Sequence, residues 1–246
     1  MSGLIRTHTR FQLIETARTP IAIVGSAIWP AASMLAFVVP YAGDDPHFAT
    51  VATASMLTFA VMSTNLFQYG VGVADDRVQP WDPYVRTLAA GALPRFAGRL
   101  LAGLALMAVA LLPVVLIAAF LTAATLSPFR FLLAALATAL IAVPFILMGL
   151  AIGYSLPPKA AVVLAQVLFL PLAFGGGLMT GPEWAPDFVQ TVAPYLPTGG
   201  SVRLMWAAIG EYPLRASSVV SLFTWTIALA GVALWAYRRD EGRRFS

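Results

Sequence analysis

The sequence predicts an all-α integral membrane protein. Its expected parts are six transmembrane helices, an interfacial N-terminal helix, a water-exposed docking segment between spans two and three, and re-entrant helices before the last span. Three observations lead there. Of 246 residues, 59% are hydrophobic and 11% charged, against roughly 25% charged in soluble domains. The mean hydropathy is +0.82. Apolar runs recur along the chain at the ~20-residue length that a hydrocarbon core demands, with short charged turns between them. No soluble domain fits beside six such spans, so residues 1–246 read as one membrane domain.

Composition also excludes chemistry. The chain has no Cys, which removes disulfides, thiol catalysis and thiolate metal sites. Its two histidines, His8 and His47, are too few and too far apart to suggest a metal centre. The basic residues are spread between loops rather than gathered on one face, so nucleic-acid binding is not expected.

The elements follow in order. In residues 4–18, Leu4, Phe11 and Ile14 recur near helical spacing among Arg6, Arg10, Gln12, Glu15 and Arg18. That pattern fits a basic amphipathic helix lying on a membrane surface. The apolar run from Pro20 continues to Ala42, past any small-residue cleavage site, which argues against a signal peptide. The first span is expected over 20–41, followed by the acidic turn Asp44-Asp45-Pro46-His47. The second is expected over 49–73 and ends in the polar residues Asn65, Gln68 and Tyr69.

The stretch 75–99 carries seven charges and the aromatics Trp81 and Tyr84. Each charge costs ~2.5–3.5 kcal/mol in hydrocarbon, so the stretch projects into water. Aromatics among charges suit a surface that enters a partner cleft. Trp81, Asp82, Tyr84 and Arg86 are the docking candidates, with Asp76 and Arg77 beside them. Interfacial anchoring by the aromatics is the competing reading. Asp76 and Arg77 could also pair with each other, or with Arg10 or Glu15.

From there Arg99, Arg130 and Lys159 stand one span and one turn apart. They delimit spans over 98–125, 131–154 and 160–174. Gly175-Gly176-Gly177 breaks the pattern. Residues 178–213 are rich in Pro and Gly and predict two short re-entrant helices, over 185–193 and 201–209. The last span is expected over 217–237. With the N-terminus inside, twelve of the fifteen basic residues fall on the inner side; only Arg130, Arg203 and Arg215 fall outside. The positive-inside rule therefore puts both termini and the docking segment in the cytoplasm.

No energy source is visible. A P-loop requires G-x-x-x-x-G-K-[ST], but the single lysine, Lys159, follows Pro157-Pro158. No span core carries an acidic residue of the kind ion-coupled carriers use. A channel filter and a hydrolytic nucleophile with its base are equally lacking. Span two carries Phe59, Met62, Asn65, Phe67 and Gln68, and span five carries Gln166, Phe169 and Phe174. Aromatics, Met and uncharged amides suit a cavity for amphipathic molecules. Plain helix packing, with Asn and Gln as glue, suits them as well.

This order of parts resembles the type-2 ABC exporter permeases. Arg18-Thr19-Pro20 is similar to that family's basic-x-Pro entry to the first span. Arg86-Thr87-Leu88, Gly91-Ala92-Leu93-Pro94 and Gly98-Arg99-Leu100-Leu101 resemble its coupling segment. Gly176-Gly177-Leu178 with Pro182, Trp184, Pro186, Pro194 and Pro197 resembles the signature before its last span. Where many members carry E-x-G-T, this chain has Asp76-Arg77-Val78-Gln79-Pro80-Trp81.

The resemblance implies a permease without enzymatic activity in the cell membrane. It implies a second half, identical or not, and two copies of a separate ABC ATPase that binds ATP and Mg²⁺, with no cofactor on this chain. The coupling helix would hold the docking candidates. Gly176, Gly177, Pro182, Glu183, Trp184, Pro194 and Pro197 would form an outer re-entrant gate. The pattern looks closest to drug and antibiotic-resistance exporters; an exporter of lipid or glycan is the alternative.

Overall fold

The computed structural model describes residues 2–17, 28–80 and 92–243, and every regular element among them is helical. Helix α1 (Ser2–Ala17) precedes α2 (Ile28–Tyr41), α3 (Pro46–Asp76), α4 (Ala92–Leu121), α5 (Pro128–Ser155) and α6 (Pro158–Gly175). Two short helices, α7 (Asp187–Val192) and α8 (Pro197–Ile209), lead to the long α9 (Ala216–Arg243). Among the described residues, α3, α4, α5, α6 and α9 are long and apolar enough to cross a membrane. The chain is a multi-pass, all-α membrane protein. Of the expected first span, α2 supplies the second part, with a π-helical turn over Met34–Val38; residues 20–27 lie outside the described residues.

Local chemistry sets the helix starts. Asp45 is the N-cap of α3, and its carboxylate accepts the Phe48 N–H at 3.0 Å, with Pro46 in the first turn. Ser127 does the same for α5, accepting the Arg130 N–H at 3.3 Å ahead of Pro128. Pro158 opens α6. The acidic turn is pinned to the far end of α4: Ala123 N–H donates to Gly43 O at 2.6 Å, and Thr125 N–H to Thr50 Oγ1 at 3.1 Å. These bonds end α4 at Leu121, four residues before the expected limit of the third span. At its other end α4 begins at Ala92, inside the stretch expected to be polar and water-exposed.

The bundle is built around α3. It packs against α4, α5, α6 and α8, and 78% of its most apolar window is buried, against 17% for α9. The polar residues that make α3 look like a span end are inside it. Asn65 is fully buried and Tyr69 nearly so. At ~1.5 Å per residue, its 31 residues extend roughly 46 Å. That exceeds a ~30 Å hydrocarbon core, so α3 projects beyond the apolar layer.

The tightest seam is α3 against α5, where glycines let the backbones touch. A Cβ on Gly149 would lie 2.8 Å from both Asn65 O and Tyr69 Cβ; one on Gly153 would lie 2.6 Å from Tyr69 O and 2.7 Å from Val73 Cβ. Small residues at such contacts are how helices associate where hydrocarbon removes the hydrophobic drive. The other faces of α4, α5, α6 and α9 carry exposed Leu, Val, Ile and Phe, as lipid contact requires.

Gly153→Ala is therefore expected to cost ~1–3 kcal/mol through overpacking against backbone, seen as a lower melting temperature of the detergent-solubilised chain. Gly72→Ala is the control, since a Cβ there meets nothing within 4 Å. Equal melting temperatures for the two variants would contradict the seam.

Candidate functional site

Polar chemistry gathers at the two ends of the bundle. At one end, α3 stops at Asp76 and turns. The Arg77 N–H donates to Val73 O at 3.1 Å, Val78 N–H to Asp75 O at 3.2 Å, and Gln79 N–H to Asp76 O at 3.2 Å. Asp76 forms an ion pair with Arg99 of α4. Arg77 turns inward. Its Nη1 donates to Gly153 O at 2.7 Å and Leu156 O at 3.1 Å, the bare carbonyls at the C-terminus of α5. A cation there satisfies orphan acceptors and opposes the negative pole of the helix dipole. Its Nε donates to Asp240 Oδ1 at 3.1 Å, and Nη2 pairs with the same oxygen. Asp240 is buried, on the last turns of α9. Near this junction Tyr154 of α5 and Tyr237 of α9 meet edge-to-face at 5.1 Å.

One guanidinium thus joins α3, α5 and α9, while its neighbour Asp76 joins α3 to α4. Asp76 and Arg77 thus both find partners on other helices. Of the docking candidates, Arg77 is 18% exposed and bonded to α5 and α9. Asp76 keeps about half its side chain exposed. Trp81, Asp82, Tyr84 and Arg86 lie outside the described residues. The stretch that holds them leaves α3 just after this junction and rejoins the fold at α4.

Between the ends, the candidates on α3 and α6 separate into two groups. Phe59 and Phe67 of α3 meet Phe169 of α6, with ring centroids 4.9 and 5.8 Å apart. Met62 and Asn65 are fully buried. The Asn65 amide donates to Val61 O at 2.7 Å and to Met107 Sδ of α4 at 3.2 Å. For Met62 and Asn65 the packing reading holds within this chain: they glue the bundle and line no open surface. Gln68 is half-buried. Gln166 and Phe174 are exposed on α6.

The opposite end is clasped by a cluster that sequence reading missed. His47 Nδ1 lies 2.7 Å from Glu211 Oε2, and its Nε2 lies 3.7 Å from Glu183 Oε1. The Tyr212 hydroxyl donates to Glu183 Oε1 at 2.7 Å and lies 3.3 Å from His47 Nε2. Burial, then the hydrogen bond to Glu183, then the charges of Glu183 and Glu211 push the Tyr212 phenol above its ordinary range. Four side chains so connect the start of α3, the segment before α7 and the loop after α8. Trp206 of α8 donates from Nε1 to Ser55 Oγ of α3 at 3.0 Å. Arg130 donates to Ala207 O at 3.4 Å, near the end of α8.

Two short helices, α7 and α8, stand in this segment, the latter beginning four residues earlier than expected. Gly176 is where α6 meets α8: a Cβ there would fall 2.2 Å from Thr198 Oγ1. Gly177 has φ +81°, left-handed backbone that glycine adopts without strain. Pro197 is buried in the first turn of α8. Pro182 and Pro194 are half-buried, Glu183 is in the cluster, and Trp184 is 76% exposed. Among the described residues no His/Asp/Glu group has metal-site geometry.

The polar groups at each end join helices. Residues 3–208, from α1 through nearly all of α8, match the family described as ABC-2 type transporter. The chain belongs to the ABC-2 type transporter family. It is also similar to a Bacillus subtilis (strain 168) protein named "Putative transport permease YvfS", 26% identical over 144 residues, 58% of this chain and 59% of that protein. The match thus spans about three fifths of that relative's length. No solved structure matches the chain. For this ABC-2 family member, the motif candidates around Gly176 fall at a helix junction, whereas its clasps were hidden in long-range pairs.

Removing one partner of the Arg77–Asp240 pair takes a bonded counter-ion from the other. Asp240→Asn or Arg77→Gln is expected to cost ~3–5 kcal/mol, and the double variant Arg77→Met/Asp240→Leu less than the sum of its singles, measured by thermal unfolding in detergent. At the other end, a phenol raised in the fold contributes full stability below the ordinary Tyr value of ~10 and loses it as pH rises above that. Tyr212→Phe should flatten the alkaline fall in melting temperature that the parent chain shows above pH ~10.

Proposed function

We propose that this chain is the membrane permease half of an ATP-driven ABC exporter that moves hydrophobic or amphipathic small molecules out of the cell. Helix α2 belongs to the first of six spans, the one expected over 20–41. The excess of basic residues places the Arg77 end and both termini in the cytoplasm and the His47 end outside. The chain sits in the cell membrane and works beside a second half, with two ATPase subunits supplying ATP and Mg²⁺ sites.

The observation that carries the reading is the Arg77 junction. Three other helices are bonded to the end of α3 where the docking stretch departs. A partner that grips Trp81, Asp82, Tyr84 and Arg86 would therefore move α3, α4, α5 and α9 as one body rather than bend a loop. Rigid-body motion of packed helices is the usual way a remote energy source is converted into access at a membrane pathway. The exposed face of α6, with Gln166 and Phe174, is where a second half would complete that pathway, and α7 and α8 would cap its outer end. Family membership supports the permease role; the amide and aromatic side chains support an amphipathic cargo over a glycan.

The experiment is a mild-detergent pull-down of the tagged chain from its host. A P-loop ATPase should co-purify with the parent chain, and its recovery should fall at least tenfold with Trp81→Ala/Asp82→Ala while the chain stays monodisperse. Drug-like amphiphiles, rather than lipids or glycans, should stimulate the complex's ATPase. Absence of any ATPase after cross-linking, or ATP hydrolysis by the chain alone, would contradict the proposal.

A further inference from the structure

We propose that the groove between α1 and the start of α4 is a binding site for an anionic glycerophospholipid, gripped by Arg6 and Arg10 at its phosphate and by apolar side chains along an acyl chain. Helix α1 is fixed at a defined depth. A Cβ on Gly98 would fall 2.6 Å from His8 Cβ and 3.1 Å from Thr9 N, so the two helices touch at backbone distance there. Gly98 stands beside the charged Arg99, and an apolar run of α4 begins at Leu100. The contact therefore sits at the edge of the apolar layer, where headgroups give way to acyl chains.

Beside that contact lies an open groove of about 790 Å³, walled by Ile5, Leu13 and Ile14 of α1 and Leu101 of α4, with Arg6 and Arg10 on its rim. Leu101 lies in that apolar run and is half exposed. Thr9 also borders the groove, but its hydroxyl is spent on Ile5 O at 2.9 Å. The polar recognition thus falls to the two arginines. They stand one helical turn apart on the same face, where like charges repel unless an anion lies between them. Among the described residues neither has an acidic partner, whereas the nearby Arg99 is neutralised by Asp76.

Guanidinium groups bind phosphate through paired N–H donors. Aliphatic walls reaching into the hydrocarbon edge require an acyl chain. One ligand class carries both, a phospholipid with net negative charge. A free phosphate would leave the apolar wall uncovered, and a zwitterionic lipid would bring a cation against the arginines. This inference stands apart from the exporter reading, because it involves neither the docking stretch nor the pathway.

The test is native mass spectrometry of the purified full chain, titrated with phosphatidylglycerol and with phosphatidylcholine of identical acyl chains. The parent chain should retain phosphatidylglycerol preferentially. Arg6→Gln/Arg10→Gln should weaken it about thirtyfold, the equivalent of ~1 kcal/mol for each basic residue near an anionic surface, and leave phosphatidylcholine unchanged. Arg6→Lys/Arg10→Lys should keep only part of the preference, since an ammonium retains the charge but not the paired donation, and Leu101→Gln should weaken phosphatidylglycerol with both arginines intact. Millimolar inorganic phosphate should not displace the lipid. Equal retention of the two lipids by the parent chain would overturn the proposal. So would undiminished phosphatidylglycerol on the folded Gln variant, or displacement by inorganic phosphate. Loss of a co-purifying protein from the Gln variant with its lipid retained would equally assign the groove to another occupant.

Discussion

A buried guanidinium needs acceptors, and Arg77 finds them on two helices at once. Gly153 and Leu156 present the carbonyls that α5 cannot use at its own C-terminus, and Asp240 presents a carboxylate that would be costly to bury alone. Each group is tolerable only because the others are there. Three helices that hydrocarbon gives little reason to associate are held at a common point. The glycine seam of α3 and α5 adjoins it, since Gly153 is both a close-contact residue and a carbonyl acceptor in the knot.

The same logic operates at the other end with weaker chemistry. His47, Glu183, Glu211 and Tyr212 lie partly in solvent and satisfy one another rather than a helix terminus. Exposed ionic contacts contribute little individually, so this end is the softer of the two. The bundle is thus firmer at the Arg77 end of α3 than where α7 and α8 lie. Family membership supplies the context of transport, and the polar knots supply a physical route for force.

Sequence patterning made the spans legible because hydropathy is a local property with a length set by the bilayer. The break at Gly176 and the short helices after it were legible for the same reason. The centrality of α3 was not: Asn65, Gln68 and Tyr69 look like a water-facing end, yet Asn65 and Tyr69 are buried because α4 and α5 supply their partners. Arg77–Asp240 and His47–Glu211 span 163 and 164 positions, and no periodicity connects residues so far apart. Asp240 also sits past the expected end of the last span, among the arginines that follow it, which concealed its role. For Trp81, Asp82, Tyr84 and Arg86 the sequence alone still carries the docking argument.

The central claim is that the Arg77 knot makes α3 and α9 move as one. The chain has no Cys, so Asp75→Cys and Arg238→Cys give a clean spin-label pair across the junction, both at exposed positions. Double electron–electron resonance would follow that distance in the assembled complex with and without ATP. A narrow distance distribution that ATP leaves unchanged, and that broadens on Arg77→Gln, is the result predicted. A distance that shifts with ATP in the parent chain, or that ignores the loss of Arg77, would contradict the account.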